Sequence, residues 1–332
     1  MNKTISNPQK LINVLLLTFF GAPAFSSTAN DQYLSISYQQ LTTDFFGEGN
    51  HKFKPSGTGI GYGFNFTDDW SMGLTYQRSK GDGRWFSHRA VVREFYETGE
   101  SKSKAYGFSL NWLPNEHGLT FSYNQIDNTE SSITYLPFLV ESVTGADQVL
   151  SVGYIGQWAD SEKTLEDLFS ENQNYWAVTW GIGLQNIESE VDIIENLNTD
   201  EPIQIDINLE RKSLSVFAEL GVSYIFVRDT LSWSPYLNLS WDWELDVSGE
   251  EYILLSRGER LISFEQSGSR FNNQIRTPDA GTMEFGFSLF WESGSDKSGQ
   301  TALDWSLDLG YSKTLATEVD YSGVQVSLRV DF

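Results

Sequence analysis

Twelve segments in which every second residue is apolar, aromatic residues gathered at the ends of those segments, and the want of a helix-length hydrophobic run predict an all-β chain. The fold they predict is a transmembrane antiparallel up-and-down β-barrel of about twelve strands. Successive side chains of a strand point to opposite faces, so each such segment has one apolar side and one wet side. Past the first thirty residues nothing reaches the ~18 consecutive apolar residues of a spanning helix, and the mean hydropathy is negative. A barrel reconciles the two, because half of each of its strands faces a wet interior.

The elements follow in order. Residues 1–29 carry Lys3 and Lys10, an apolar run from Leu11 to Phe20, and small residues ending in Ser27-Thr28-Ala29. That is the pattern of a secretory signal peptide cut before Asn30, leaving residues 30–332 as one barrel domain. The first apolar row is Leu34, Ile36 and Tyr38; the second is Ile60, Tyr62, Phe64 and Phe66. Trp70 to Tyr76, Tyr106 to Trp112, Leu119 to Tyr123 and Leu150 to Trp158 continue the pattern. In the second half come Trp176 to Leu184, Leu214 to Phe226 and Leu231 to Trp243. Met283 to Trp291, Leu303 to Tyr311 and Val324 to Phe332 complete the set. Each is near the ~9–11 residues that a tilted strand needs to cross a bilayer.

The connections are short and long in turn. "TDD", "PNEHG", "VRDT" and "SGSDKSGQ" read as periplasmic turns. The polar stretch from about Gly81 to Lys104 reads as a long loop. "ADSEKTLEDLFSENQN" is too long for a periplasmic turn, and Leu165, Leu168 and Phe169 suit a short helix there. The acidic segments around Ile203 to Leu209 and "EEYILLSRGERLISFEQ" still alternate, so they read as strands running on above the membrane as hairpins.

Aromatics make up 14% of the chain, and their places have a cause. Phe66, Trp70, Trp112, Trp158, Trp176, Phe226, Trp291 and Phe332 fall beside the predicted periplasmic turns. Tyr38, Tyr76, Tyr123, Trp241, Trp243 and Tyr311 fall toward the opposite ends. Amphipathic rings belong at the two lipid–water boundaries.

The signal peptide, the twelve rows and the ending "VQVSLRVDF" resemble a Gram-negative outer-membrane β-barrel. Val326, Leu328, Val330 and Phe332 resemble the C-terminal signal of this class, which implies the barrel-assembly machinery as a partner during biogenesis. Twelve strands in a chain of this length is similar to the translocator barrel of autotransporters, standing alone with neither passenger nor linker helix ahead of Leu34. The resemblance implies a place in the cell outer membrane among lipid and lipopolysaccharide.

The wet parity is mostly Gly and Ser, which either leaves room for a water-filled cavity or narrow channel or serves only to relieve crowding and ease strand curvature. Phe217, Tyr236 and Phe290 break that rule and are expected to pack against inward loops. Charged candidates for the inner face are Glu219, Asp242, Glu284, Asp304, Asp308, Arg329 and Asp331, with Arg329 expected to pair with Asp304 on the neighbouring strand. Carboxylates in a lumen favour cations or neutral solutes.

Other function classes are excluded or lack their residues. There is no cysteine, so no disulfide or thiolate chemistry. A net charge of -23 disfavours nucleic acid, whose phosphates it repels. No metal cluster, phosphate loop or dinucleotide fingerprint occurs, and no cofactor is implied. Of the three histidines, His117 falls in a turn, and His51 and His88 fall in predicted surface loops. None has catalytic spacing, so no enzymatic activity is expected. The reading is a passive or weakly selective pore with an acidic-leaning lumen; the alternative is a structural or surface-interaction barrel plugged by its own loops.

Overall fold

The structure, a computed structural model, describes residues 32–45, 52–67, 69–89, 92–114, 116–134, 139–160, 174–197, 203–228, 230–257, 260–267, 280–291, 303–315 and 319–332. The expected signal peptide, His51 and the expected helix near Leu165 lie outside these residues.

The strands are β1 (Gln32–Phe45), β2 (Lys52–Phe53), β3 (Ser56–Thr67), β4 (Trp70–Arg89), β5 (Val92–Trp112), β6 (His117–Thr134) and β7 (Leu139–Ala159). They continue as β8 (Tyr175–Leu197), β9 (Ile203–Arg228), β10 (Leu231–Arg257), β11 (Arg260–Ser267), β12 (Ala280–Trp291), β13 (Asp304–Thr314) and β14 (Val319–Asp331). Apart from β2 and β11, each pairs antiparallel with its neighbours in sequence, and β14 returns to β1 in thirteen cross-strand pairs from Tyr33↔Asp331 to Phe45↔Val319. The result is a closed cylinder of twelve strands. The amide of Phe332 donates to the carbonyl of Gln32 at 3.0 Å, tying the last residue to the first strand. Closure pairs the backbone groups without an open edge, which lipid would leave without partners.

All twelve apolar rows lie on these twelve strands, and their side chains point outward. Ile36, Ile60, Leu74, Ile182, Leu220, Phe285 and Leu328 are all solvent-accessible in the isolated chain, as lipid-facing residues must be. The walls are of unequal height. β12 and β13, with 12 and 11 residues, are just long enough to cross, whereas β9 and β10 run to 26 and 27. Above the height of β12, β11 takes its place beside β10, from Glu250↔Ser267 to Arg257↔Arg260, and covers what would be an exposed edge.

Two elements differ from expectation. The described residues of the stretch from Gly81 to Lys104 are not a loop: β4 and β5 pair through it, with a register shift between Ser87 and Arg89, and the backbone of His88 lies in β4. A ribbon above the membrane is wet on both faces, so it needs no hydrophobic row. Strand β8 also changes polarity without changing parity. Along β8, Trp180, Ile182 and Leu184 face out, and so do Glu188, Glu190 and Asp192 beyond them. On the inner parity the order is reversed: Gly181 and Gly183 come first, then Val191 and Ile193, both buried. The switch, near Asn186 on β8 and Lys212 on β9, marks where the outer face passes from lipid to water.

Candidate functional site

Inside the cylinder the lining is built from the residues between the lipid-facing rows. Amides and hydroxyls line the β1–β7 side. Gln77 donates to Gln39 at 3.0 Å, Thr120 to Asn111 at 2.7 Å, Asn111 to Ser71 at 3.3 Å, and Ser122 meets Ser151 at 2.6 Å. These bonds satisfy small polar groups along the wall and keep them there.

The loops on which the large inner rings are expected to pack lie largely outside the described residues. Within the described residues, Tyr33, Phe217 and Tyr236 lie on glycines of neighbouring strands. A Cβ at Gly63 would meet the Tyr33 ring at 2.2 Å, one at Gly183 would meet Phe217 at 2.6 Å, and one at Gly286 would meet Tyr236 at 2.5 Å. Next strand over, a Cβ at Gly153 would meet the Phe217 ring, and one at Gly310 the Tyr236 hydroxyl, each at 2.9 Å. Only a residue without a side chain lets a ring settle this close to the backbone. The rings are thereby laid against the wall. Phe290 lies opposite Ser232 on the β10–β12 ladder.

The charged candidates fall on the β9–β14 side. Glu219 stands opposite Ser240, and Asp242 lies two residues further along β10, opposite Phe217. Glu284 accepts from the Tyr236 hydroxyl at 3.0 Å, and Asp308 accepts from Ser288. Nearer the turn end, Arg329 makes its ion pair with Asp331 on its own strand, donating from Nε at 2.9 Å. Asp304, the partner expected from the sequence, faces Asp331 across the β13–β14 ladder.

Beyond the lipid-facing rows lies a network that sequence reading missed. Asp147, Ser189 and Arg211 stand side by side on the inner face of β7, β8 and β9. Arg211 pairs with Glu244, and both side chains are almost wholly buried. Burial pushes the Asp147 carboxyl up to about 6, against the pull of Ser189 and Arg211. Burial likewise lowers Arg211, while Glu244 and Asp147 oppose the shift. Asp147 sits in a stretch with no lipid-facing row beside it, so only the inward parity carried over from Leu150 could have revealed it.

Aromatic residues form a band at each end of the lipid-facing wall. At the turn end Phe66 stacks on Trp70 at 6.1 Å, Trp70 meets Trp112 at 6.2 Å, and Phe226 stacks on Trp233 at 3.7 Å. Trp158, Trp176, Trp291 and Phe332 are exposed on the same outer face. At the hairpin end Tyr76 pairs with Tyr106 at 5.3 Å and Phe285 with Tyr311 at 5.1 Å. Val326, Leu328 and Val330 continue the outer row of β14, with Leu328 the most exposed of the three. His117 lies at a turn, its ring 5.8 Å from that of Tyr154. Among the described residues no group of three His, Cys, Asp or Glu could hold a metal ion.

A closed cylinder, an apolar belt between two aromatic bands and a small polar lining together define an outer-membrane β-barrel. No protein-family model and no curated protein matches the chain. Solved structures do, and they narrow the fold to that of the autotransporter translocator domains. The translocator domain of NalP from Neisseria meningitidis aligns with a TM-score of 0.57 at 12% identity, covering 92% of this chain and 90% of that one. The Bordetella BrkA β-domain gives 0.53 at 9% identity, over 92% of this chain and 100% of that one. The AIDA-I transport unit from Escherichia coli gives 0.51 at 13% identity, over 100% and 99%. In this class the short turns are periplasmic and the tall hairpins face outward.

Proposed function

We propose that this barrel is a passive or weakly selective outer-membrane pore for small hydrophilic solutes, with a lumen that leans toward cations and neutral molecules. One observation carries the reading: the inner rings of Tyr33, Phe217 and Tyr236 are folded onto glycines, while the inner wall between the aromatic bands is rich in carboxylate. Glu219, Asp242, Glu284 and Asp308 lie there, and among the described residues the one inward cation at that height, Arg329, is engaged by Asp331. Carboxylates in a narrow aqueous path concentrate cations and repel anions.

The test is a planar-bilayer recording of the refolded protein under a potassium chloride gradient. Discrete conductance steps with a cation-selective reversal potential are expected. The double variant Glu284→Gln, Asp308→Asn is expected to move that potential toward zero while the steps remain. Absence of steps from protein shown to be folded would overturn the pore.

A second reading, a barrel plugged from within that serves as a structural or surface element, has its own support. Val191 near the outer end and Val227 near the turn end are inward-facing yet fully shielded from solvent. Each belongs to an apolar cluster on the β7–β9 wall. Silent bilayers would favour this reading.

A further inference from the structure

The outer face just above the tyrosine band is unlike on two sides of the barrel. On β8 and β9 it is acidic, with Glu188, Glu190 and Glu210 outward. On β4 and β5 it is basic. Arg78 stands directly opposite Lys104, and Lys80 directly opposite Lys102, all four outward-facing and exposed. Like charges opposed on one face of a ladder are destabilising, and here two such pairs follow in succession. Glu100 bridges the upper pair, contacting Lys80 and lying 3.6 Å from Lys102. No ion pair is recorded for Arg78 or Lys104 among the described residues; Asp127 is beside Lys104 on β6, held by Gln125 at 3.2 Å, and Asp82 stands above, opposite Glu100.

Height decides what could neutralise the lower pair. Tyr76 and Tyr106, one two-residue step below, mark the hydrocarbon boundary. Such a step rises about 7 Å along a strand, or about 5 Å along the membrane normal at a ~40° tilt. The headgroup layer is roughly 5–7 Å thick on each side. Arg78 and Lys104 are therefore level with lipid headgroups, and Lys80 and Lys102 just above them. A guanidinium and an ammonium side by side suit a phosphate ester, the first by its planar fork and the second as a point charge.

We infer that Arg78 and Lys104, backed by Lys80 and Lys102, form a binding site for the phosphate of a phosphorylated lipid headgroup in the outer leaflet. The site does not depend on whether the lumen conducts. Free phosphate shares the chemistry but lacks the acyl chains that the neighbouring lipid-facing wall would hold.

The test uses the full barrel in phosphatidylcholine nanodiscs, titrated with bis-phosphorylated lipid A, with its dephosphorylated form, and with inorganic phosphate. Wild type is expected to prefer the phosphorylated lipid. Arg78→Gln with Lys104→Gln is expected to weaken it about 30-fold, since each cation near an anionic headgroup contributes about a factor of five. Arg78→Lys with Lys104→Arg keeps the charges and is expected to bind nearly as wild type, and Lys212→Gln on the acidic wall to change nothing. Folding of each variant is checked by its heat-dependent gel mobility. Equal binding by wild type and the neutralised pair, or equal binding of both lipids, would overturn the site. Displacement of the lipid by millimolar inorganic phosphate would overturn its assignment to lipid.

Discussion

The guanidinium carbon of Arg329 sits 4.0 Å from the centre of the Tyr33 ring, across the seam where the last strand meets the first. The same guanidinium is paired with Asp331, and Asp304 faces Asp331 on the other side. Arg329→Ala removes the cation and leaves the nearly buried Asp331 carboxylate without this ion pair. Breaking such a pair from one side costs about 3–5 kcal/mol, with up to about 1 kcal/mol more for the lost ring contact. Urea unfolding in phospholipid vesicles, followed by tryptophan fluorescence, is expected to show that loss. Adding Asp331→Asn should restore part of it, since the stranded charge is then gone.

Tyr236 and Gly286 supply the next prediction. A methyl group at Gly286 would lie 2.3 Å from the Leu309 carbonyl oxygen and 2.5 Å from the Tyr236 ring. The carbonyl is backbone and resists displacement; the ring can swing into the lumen. Gly286→Ala is expected to destabilise the barrel by about 1–3 kcal/mol and to lower single-channel conductance. Gly286→Ala with Tyr236→Ser should recover the conductance. If Gly286→Ala conducts as wild type, the ring is not held against the wall by this glycine.

Why was this shelf illegible in the sequence when the barrel was not? Lipid contact writes itself into each strand separately, so rows such as Trp176 to Leu184 can be read one at a time. A ring and the glycine beneath it sit on different strands, and register between strands is invisible until they are paired. Arg329 shows the same limit: it pairs with Asp331, two residues along its own strand and at the same parity, a partner that the sequence reading did not suggest. Where lipid stops, the row stops, and Gly81 to Lys104 looks like a loop although its described residues pair strand to strand.

Asp147 sets a pH dependence. Its carboxyl is pushed up to about 6 from an ordinary 3.8, chiefly by burial. The folded protein therefore holds that proton more tightly than the unfolded chain does. This group's contribution is most favourable below about pH 4 and declines as pH rises through about 6. A shift of this size corresponds to about 3 kcal/mol between those limits. Asp147→Asn is expected to flatten that part of the profile and to gain on wild type at pH 7. The stability difference between the two proteins, measured from pH 4 to 7, checks it; a difference that does not grow across that window would show that Asp147 is not desolvated.

The change of polarity along β8 gives a three-position test with one residue type. Ile182 faces lipid, Glu188 has the same parity two turns of the pleat past Leu184, and Val191 has the opposite parity and is fully buried. Arginine at Ile182 must place its charge in hydrocarbon and is expected to cost about 2–4 kcal/mol. At Glu188 the same side chain stands in water, and Glu188→Arg should change stability by no more than about 0.5 kcal/mol. At Val191 it must enter the apolar cluster with Val143, Ile193 and Leu209, so Val191→Arg should cost at least about 3 kcal/mol. A barrel whose outer face were lipid-exposed along the whole of β8 would put Glu188→Arg, not Val191→Arg, among the benign substitutions only by accident of depth, and would leave Val191 a solvated lumen position. A costly Ile182→Arg beside a harmless Glu188→Arg therefore places the water boundary of the outer face between those two residues, and a costly Val191→Arg shows an apolar inner face above it, on a strand whose parity never changes.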